Sequence, residues 1–145
     1  MSSIKDIQAQ IVDDFSFLSE WDERYAYLIE LGQKKEPLPE EYRSEENIVR
    51  GCQSLVWLHR ECRQGEVYLQ SDSDSLIVKG LAALLMQVFS GQLAEEVLKA
   101  DLTFFEAIGL DKHLSSQRAN GLLAMVEEIK AFAAQCASGR AMPNQ

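Results

Sequence analysis

Cys52 is the residue of this chain whose type and setting are best suited to chemistry. It stands in the segment Arg50-Gly51-Cys52-Gln53, where Gly51 permits a positive φ angle or the close approach of another chain. A cysteine in this setting can lie on a loop tip, where its thiolate reaches another molecule, and Arg50 would favour that thiolate. A free cysteine is more often a small buried hydrophobic residue, so both interpretations stay open on these residues alone.

The other two cysteines have less distinctive surroundings. Cys62 lies ten residues further along the same predicted strand. An extended chain would place it about 33 Å from Cys52 at ~3.3 Å per residue, too far for a disulfide between them unless the chain folds back. Cys136 falls near the end of the last predicted helix. We interpret Cys62 and Cys136 as structural or incidental residues.

Metal and hydrolase chemistry have weak support in the spacing of the cysteines and histidines. The sequence has neither a C-x-x-C nor an H-x-x-x-H pair, so no metal and no other cofactor is predicted. A nucleophilic cysteine beside a histidine would give a papain-like hydrolase. His59 has an odd offset from Cys52 on the predicted strand and should point to the opposite face. His113 precedes the last helix, and the sequence does not fix its position relative to Cys52.

Arg118 breaks a local rule of helix electrostatics. It falls in the first turn of the last predicted helix, where the helix dipole favours acidic rather than basic side chains. A residue that breaks a local rule is a candidate for function. The alternative is a structural ion pair with a nearby acid such as Asp111.

These residues must be positioned by helices on both sides of a β-hairpin. The hairpin is predicted at a Gln64-Gly65 turn, after a loop with acidic residues and two prolines over 34–46. Ser19, with Asp22 three residues later, and Ser115 are predicted to cap helices. The tail after Ser138 is expected to fray. The predicted strands cover 47–62, of which 47–50 could form a separate short strand, and 66–70; the predicted helices cover 4–15, 21–32, 76–89, 93–99, 103–108 and the stretch after 115. This order predicts an α+β fold with a small antiparallel sheet covered by helices on one side.

Composition and charge narrow the classes of function. With 145 residues, 46% of them hydrophobic, the chain can bury one core, so we predict one domain over 1–145. The net charge of −9 disfavours nucleic acid and could steer a basic partner protein. The longest apolar run, residues 76–89, is too short for a membrane span. The first residues do not resemble a signal peptide, and an odd cysteine count favours a reducing compartment, so we expect a cytoplasmic protein.

Taken together, the sequence resembles the SufE family of sulfur acceptors. The resemblance spans nearly the whole chain in the right order, and the combination of motifs is far more specific than any one of them. The matching stretches are Trp21-Asp22-Glu23-Arg24-Tyr25, Ile29-Glu30-Leu31-Gly32, Gly51-Cys52-Gln53-Ser54-x-Val56-Trp57-Leu58, Ser71-Asp72-Ser73-Asp74, Ile77-Val78-Lys79-Gly80-Leu81 and His113-Leu114-Ser115-x-x-Arg118-x-Asn120-Gly121-Leu122. Gln53-Ser54 is closer to the SufE branch than to the paralogous CsdE branch.

The resemblance implies a fold, a partner and a set of site residues. The fold would be the α+β fold shared with iron–sulfur scaffold proteins of the U type. A pyridoxal-phosphate (PLP) cysteine desulfurase, SufS-like, would give persulfide sulfur to Cys52 and be stimulated by its removal. Cys52 would then pass the sulfur to an iron–sulfur scaffold. Gly51, Arg118 and Asp74 would support the site, with Asp72 and Lys79 shaping its neighbourhood.

Two other functions remain open from the sequence. One is a scaffold that assembles a cluster on its own thiolates, and the other is the cysteine hydrolase considered above. The protein is expected to act as a carrier with a persulfide intermediate rather than as a stand-alone enzyme. The sequence leaves the choice between monomer and homodimer open.

Overall fold

The computed structural model describes residues 3–139 and has an α+β architecture, as predicted. The three strands form one antiparallel sheet in the order β1-β2-β3. The elements are α1 (Ile4–Ser16), α2 (Trp21–Gln33), β1 (Val56–Arg63), β2 (Glu66–Ser73), α3 (Leu76–Phe89), β3 (Gln92–Leu93), α4 (Ala94–Lys99), α5 (Phe104–Ala107), α6 (Leu110–His113) and α7 (Ser116–Ala137). The tail after Ser138 was expected to fray, and its residues 140–145 lie outside the described part of the chain.

The first two helices begin at side-chain caps. The Ser3 hydroxyl accepts a hydrogen bond from the Asp6 backbone N–H at 3.1 Å, which starts α1. At α2 the predicted cap was one residue too early. Glu20, not Ser19, is the N-cap, and it forms a capping box with Glu23. The Glu20 backbone N–H donates to the Glu23 carboxylate at 3.1 Å, and this bond accompanies a helix start one residue later than predicted.

The hairpin turn is confirmed, but its first strand begins later than predicted. β1 and β2 pair from Val56↔Ser73 to Arg63↔Glu66, and both Gln64 and Gly65 have positive φ angles. Asn47 ends a short 3-10 helix (Glu45–Asn47), and residues 48–55 are irregular apart from one isolated bridge, Ile48↔Trp57. Their β-branched side chains favour a strand, but a positive φ at residue 51 interrupts it.

Helix α3 is buried on nearly all sides, as its apolar sequence predicted. The Ser75 hydroxyl caps it by accepting from the Val78 N–H. Its closest approach is to α2, where a Cβ added at Gly80 would lie 2.1 Å from the Leu28 carbonyl oxygen. A side chain at residue 80 would therefore force the two helices apart.

Helix α7 is tied to the rest of the fold along its length. Ser115 caps its start, as predicted, by accepting from the Arg118 N–H at 3.2 Å. In its middle, Glu128 pairs with Arg60 of β1 at 2.8 Å. Lys130 donates to the carbonyl oxygens of Leu98 and Ala100 at the end of α4. These bonds fix the orientation of α7 across the hairpin.

A buried carboxylate, Asp72 on β2, anchors the acidic loop to the sheet and to α3. It accepts from the Leu38 N–H at 3.2 Å and pairs with Arg43 at 2.5 Å and with Lys79 at 3.5 Å. Burial by itself would raise the pKa of Asp72. The backbone donors of Ser73 and Leu38 and the two cations outweigh burial, so the pKa lies below its usual value.

Replacing Asp72 tests this anchor. Asp72→Ala leaves Arg43 and Lys79 without their partner, so we expect the free energy of unfolding to fall by about 2–3 kcal/mol in urea titrations at neutral pH. Because folding lowers the pKa of Asp72, its stabilising effect is present above about pH 4 and is lost as pH falls through the folded-state value. The difference between the two proteins should therefore shrink in acid.

A matched control is the exposed pair of Glu30 and Lys34 on α2, 3.1 Å apart. Glu30→Gln should change the free energy of unfolding by less than about 0.5 kcal/mol. An Asp72→Ala variant no less stable than Glu30→Gln would contradict the anchoring role.

Candidate functional site

Cys52 lies on the loop that leads into β1 rather than on the strand itself. Gly51 has φ +94°, in the left-handed region that favours glycine. A Cβ added there would also lie 3.3 Å from the Cβ of Ala124 on α7. Gly51 therefore lets the chain turn tightly against α7 and delivers the next side chain, Cys52, to that helix.

The Cys52 thiol is half-buried against Gly121 of α7. Its Sγ lies 3.5 Å from the Gly121 carbonyl oxygen, to which the thiol can donate a weak hydrogen bond. A Cβ added at Gly121 would lie 3.2 Å from this Sγ, so glycine makes room for the sulfur. Burial raises the pKa of Cys52, so the resting thiol is mainly protonated at neutral pH.

A cavity of about 310 Å³ opens at Cys52 between the loop, the start of α3 and the first half of α7. Its wall combines apolar side chains with hydroxyl and amide groups, and Arg118 is the one charged residue among the described lining residues. The lining residues are Cys52, Gln53, Ser54, Ser75, Val78, Leu81, Ser115, Gln117, Arg118, Gly121, Leu122 and Met125. The cavity can accommodate a small thiol-derived group on Cys52, and Arg118 can attract an anionic one.

Arg118 and Cys52 are therefore brought to one cavity, although they are far apart in the sequence. The alternative structural role, an ion pair of Arg118 with Asp111, is not among the ion pairs of residues 3–139. The N-cap at Ser115 fixes where α7 starts and hence where Arg118 stands.

Asp74 positions the loop from outside the cavity. Its Oδ1 accepts from the Leu55 N–H at 3.1 Å, and its own N–H donates to the Leu55 carbonyl at 3.3 Å. The Ser73 hydroxyl donates to the same carbonyl at 2.7 Å. The loop end that follows Cys52 is thus clamped to the end of β2. Asp72 and Lys79 belong to the buried anchor and do not line the cavity.

Neither histidine reaches the Cys52 cavity. His113 stacks on Trp21 with ring centroids 3.9 Å apart, and His59 stacks on Tyr42 at 3.6 Å. The prediction that His59 points away from Cys52 assumed that both residues lie on one strand. That assumption was wrong, because Cys52 is not on β1. Among the described cavity residues there is no histidine to act as a base for the thiol.

Cys62 and Cys136 form a disulfide with each other, a pairing that the sequence analysis did not predict. Gly121 and Cys136 are 15 residues apart on α7 (136 − 121), about 22 Å at ~1.5 Å per residue. Cys52, which contacts Gly121, is therefore remote from this disulfide. It is the free cysteine of the described chain.

Sequence reasoning missed several contributors to the site. Gly121 was noticed as part of a motif but given no role, although a glycine inside a long helix costs stability and so indicates a steric need. Ser75 and Gln117 also line the cavity, and neither was predicted from the sequence to contribute to it. For Gln117 no local pattern marks a contribution, because the cavity arises only when α7 crosses the loop.

Other kinds of site find little support in residues 3–139. No group of three or more His, Cys, Asp and Glu side chains there is placed to hold a metal ion. None of the helices in this part of the chain is long and apolar enough to cross a membrane.

The fold and the site define a class: α+β proteins that hold one free thiol in a cavity between a glycine-preceded loop and a long helix. The SufE family profile, described as "Fe-S metabolism associated domain", matches residues 9–133. The chain belongs to the SufE family, and this confirms the resemblance read from the motifs. Membership connects it in general terms with iron–sulfur metabolism.

Two relatives agree with this assignment, and a solved structure shares the fold. A SufE-like protein of Rhizobium meliloti (strain 1021) is 47% identical over 129 residues, which cover 86% of this chain and 92% of the relative. One from Rhizobium etli is 44% identical over 126 residues, covering 83% and 85%. The solution structure of a hypothetical protein from Thermus thermophilus has a TM-score of 0.75 at 25% identity, covering 91% of this chain and 96% of that one.

Replacing Asp74 tests the clamp on the Cys52 loop. Asp74→Ala removes the acceptor for the Leu55 N–H, so the loop should open more often and Cys52 should react several-fold faster with iodoacetamide. Asp74→Asn keeps an oxygen acceptor at the same place and should stay close to the native rate. Equal rates in Asp74→Ala and the native protein, both still folded by circular dichroism, would exclude the clamp.

Proposed function

We propose that this protein is a sulfur-transfer accessory protein whose Cys52 accepts persulfide sulfur from a PLP-dependent, SufS-like cysteine desulfurase and passes it to an iron–sulfur scaffold. The observation that carries the proposal is the free thiol of Cys52, held in a cavity beside Arg118. Family membership supplies the iron–sulfur setting. Gly51, Asp74 and Arg118 act as supporting residues around the thiol.

The proposed transfer is a thiol–persulfide exchange. The Cys52 thiolate attacks the outer sulfur of a persulfide on the desulfurase cysteine, the S–S bond of the donor breaks, and a new S–S bond forms on Cys52. The desulfurase cysteine leaves as a thiolate. The outer sulfur keeps its proton and is now bonded to the Cys52 sulfur. No net oxidation occurs, so the step needs no cofactor on this chain; PLP belongs to the desulfurase.

The resting site must open for this reaction. Burial raises the pKa of Cys52 and keeps the thiol protonated, which protects it from unwanted electrophiles. Docking of the desulfurase would release the loop and bring the thiol to the donor. Removing the product sulfur would free the desulfurase for its next turnover, and this accounts for the proposed stimulation.

The two alternatives are less well supported by the geometry. A scaffold needs several thiolates within reach of one cluster, but Cys62 and Cys136 are joined to each other and remote from Cys52. A cysteine hydrolase needs a base beside the thiol, but His113 is stacked on Trp21.

We further propose that the protein is cytoplasmic, because regeneration of a free thiolate favours a reducing compartment. It would act there as a monomer or homodimer.

The first test is persulfide formation. Incubation with a SufS-type desulfurase and cysteine should add the mass of one sulfur atom to the protein, on the peptide containing Cys52, and a thiol reductant should reverse it. Cys52→Ser should abolish the gain. Sulfur that still appears in Cys52→Ser, or that maps to Cys62, would overturn the assignment.

The second test concerns Arg118. Arg118→Ala should keep the fold but slow sulfur acceptance about tenfold, since the cavity loses its cation, and Arg118→Lys should recover part of the rate. The rate of mass gain at a fixed desulfurase concentration measures this. Urea unfolding separates the two roles of Arg118, because only a structural role lowers the free energy of unfolding in Arg118→Ala. An unchanged rate would assign Arg118 to helix structure alone.

A further inference from the structure

The cysteines that the proposed function does not use lie at the far end of α7. Cys62 stands on β1 next to the hairpin turn, and Cys136 stands in the last turn of α7. Both side chains are buried, and 74 positions separate them in the sequence. Their bond therefore connects the tip of the hairpin to the end of the helix whose first half forms the Cys52 cavity.

We propose that Cys62 and Cys136 are a reversible redox pair that fastens the end of α7 to the hairpin under oxidising conditions and leaves Cys52 free. The oxidant is a low-molecular-weight disulfide such as glutathione disulfide. One protein thiolate attacks it and expels one glutathione thiolate; the second protein thiolate attacks the resulting mixed disulfide and expels the other. Two cysteine thiols are oxidised, one disulfide is reduced to two glutathione molecules, and two protons end on the released thiols.

The fold supports both states of the pair. In the disulfide form the Glu66 carbonyl oxygen lies 3.9 Å from the Cys136 sulfur, so it would be in place to accept from the S–H that reduction creates. α7 remains held by Glu128, which pairs with Arg60, and by Lys130 at the end of α4. Reduction therefore releases the last turn without dismantling the helix.

Access and separation decide which thiols react with each other. The last turn of α7 is followed by exposed residues, and local opening of such an end admits a small reagent to Cys136. Cys52 lies about 22 Å away along the helix, so neither cysteine of the pair can take sulfur from a persulfide on Cys52 without unfolding. The pair and the carrier thiol thus work independently, and this inference does not depend on the proposed sulfur transfer.

The test counts thiols across a series of glutathione redox buffers. The titration uses Cys52→Ser, so that glutathione on Cys52 does not enter the count. After acid quench and alkylation with N-ethylmaleimide in denaturant, we expect two adducts at the reducing end. At the oxidising end we expect none, with a loss of two hydrogens from the intact mass. Two adducts throughout, or a stable glutathione adduct on either cysteine, would overturn the pair.

Stability and hydrogen exchange locate the effect. In the protein without substitutions, oxidation of the pair should raise the thermal midpoint of unfolding by about 10 °C, because the disulfide closes a long loop. Amide exchange should slow in residues 130–137 and stay unchanged in residues 116–125. Cys136→Ser, which cannot form the bond, should show neither response. A redox response of the same size in Cys136→Ser, or no response in the native protein, would refute the proposal.

Discussion

The contact between α3 and α2 is the constraint on which the rest of the fold depends. Gly80 brings the α3 backbone against the Leu28 carbonyl, and the helix is buried on almost every side. This close contact fixes α3 beside the sheet. α3 in turn supplies Val78 and Leu81 to the apolar wall of the cavity, and its cap, Ser75, also lines it. One wall of the Cys52 cavity is therefore built on a buried and closely packed helix.

The loop that carries Cys52 is less tightly held than helix α3. After the thiol it is held by the bonds of Ser73 and Asp74 to Leu55, and at the thiol by the weak contact of Cys52 with Gly121 and the tight turn at Gly51. A loop held by few bonds generally opens locally at a lower free-energy cost than a helix buried on nearly all sides. The proposed carrier role needs this combination, because the thiol must be protected at rest and yet reach a donor sulfur on another protein.

Local chemistry explains which parts of the fold could be predicted from the sequence. The bounds of α3, the Gln64-Gly65 turn and the Ser115 cap were all predicted, since each is marked by nearby residues. The start of β1 was not, because Ile48 and Val49 favour a strand as strongly as Val56 does. The turn at Gly51 separates Ile48 and Val49 from the strand that starts at Val56. That turn packs against α7, a contact that the local sequence does not reveal.

Non-local contacts explain what could not be predicted at the site. The motifs identified Cys52 and Arg118, but the wall between them forms only where α7 crosses the loop, so Gln117 and Gly121 had no visible role. The pairing of Cys62 with Cys136 spans 74 positions and leaves no local pattern. Its location nevertheless has a physical consequence: a helix of this length keeps the disulfide about 22 Å from the Cys52 thiol, beyond the reach of exchange. One end of α7 thus supplies a wall of the Cys52 cavity. The other end holds the Cys62–Cys136 disulfide away from that cavity.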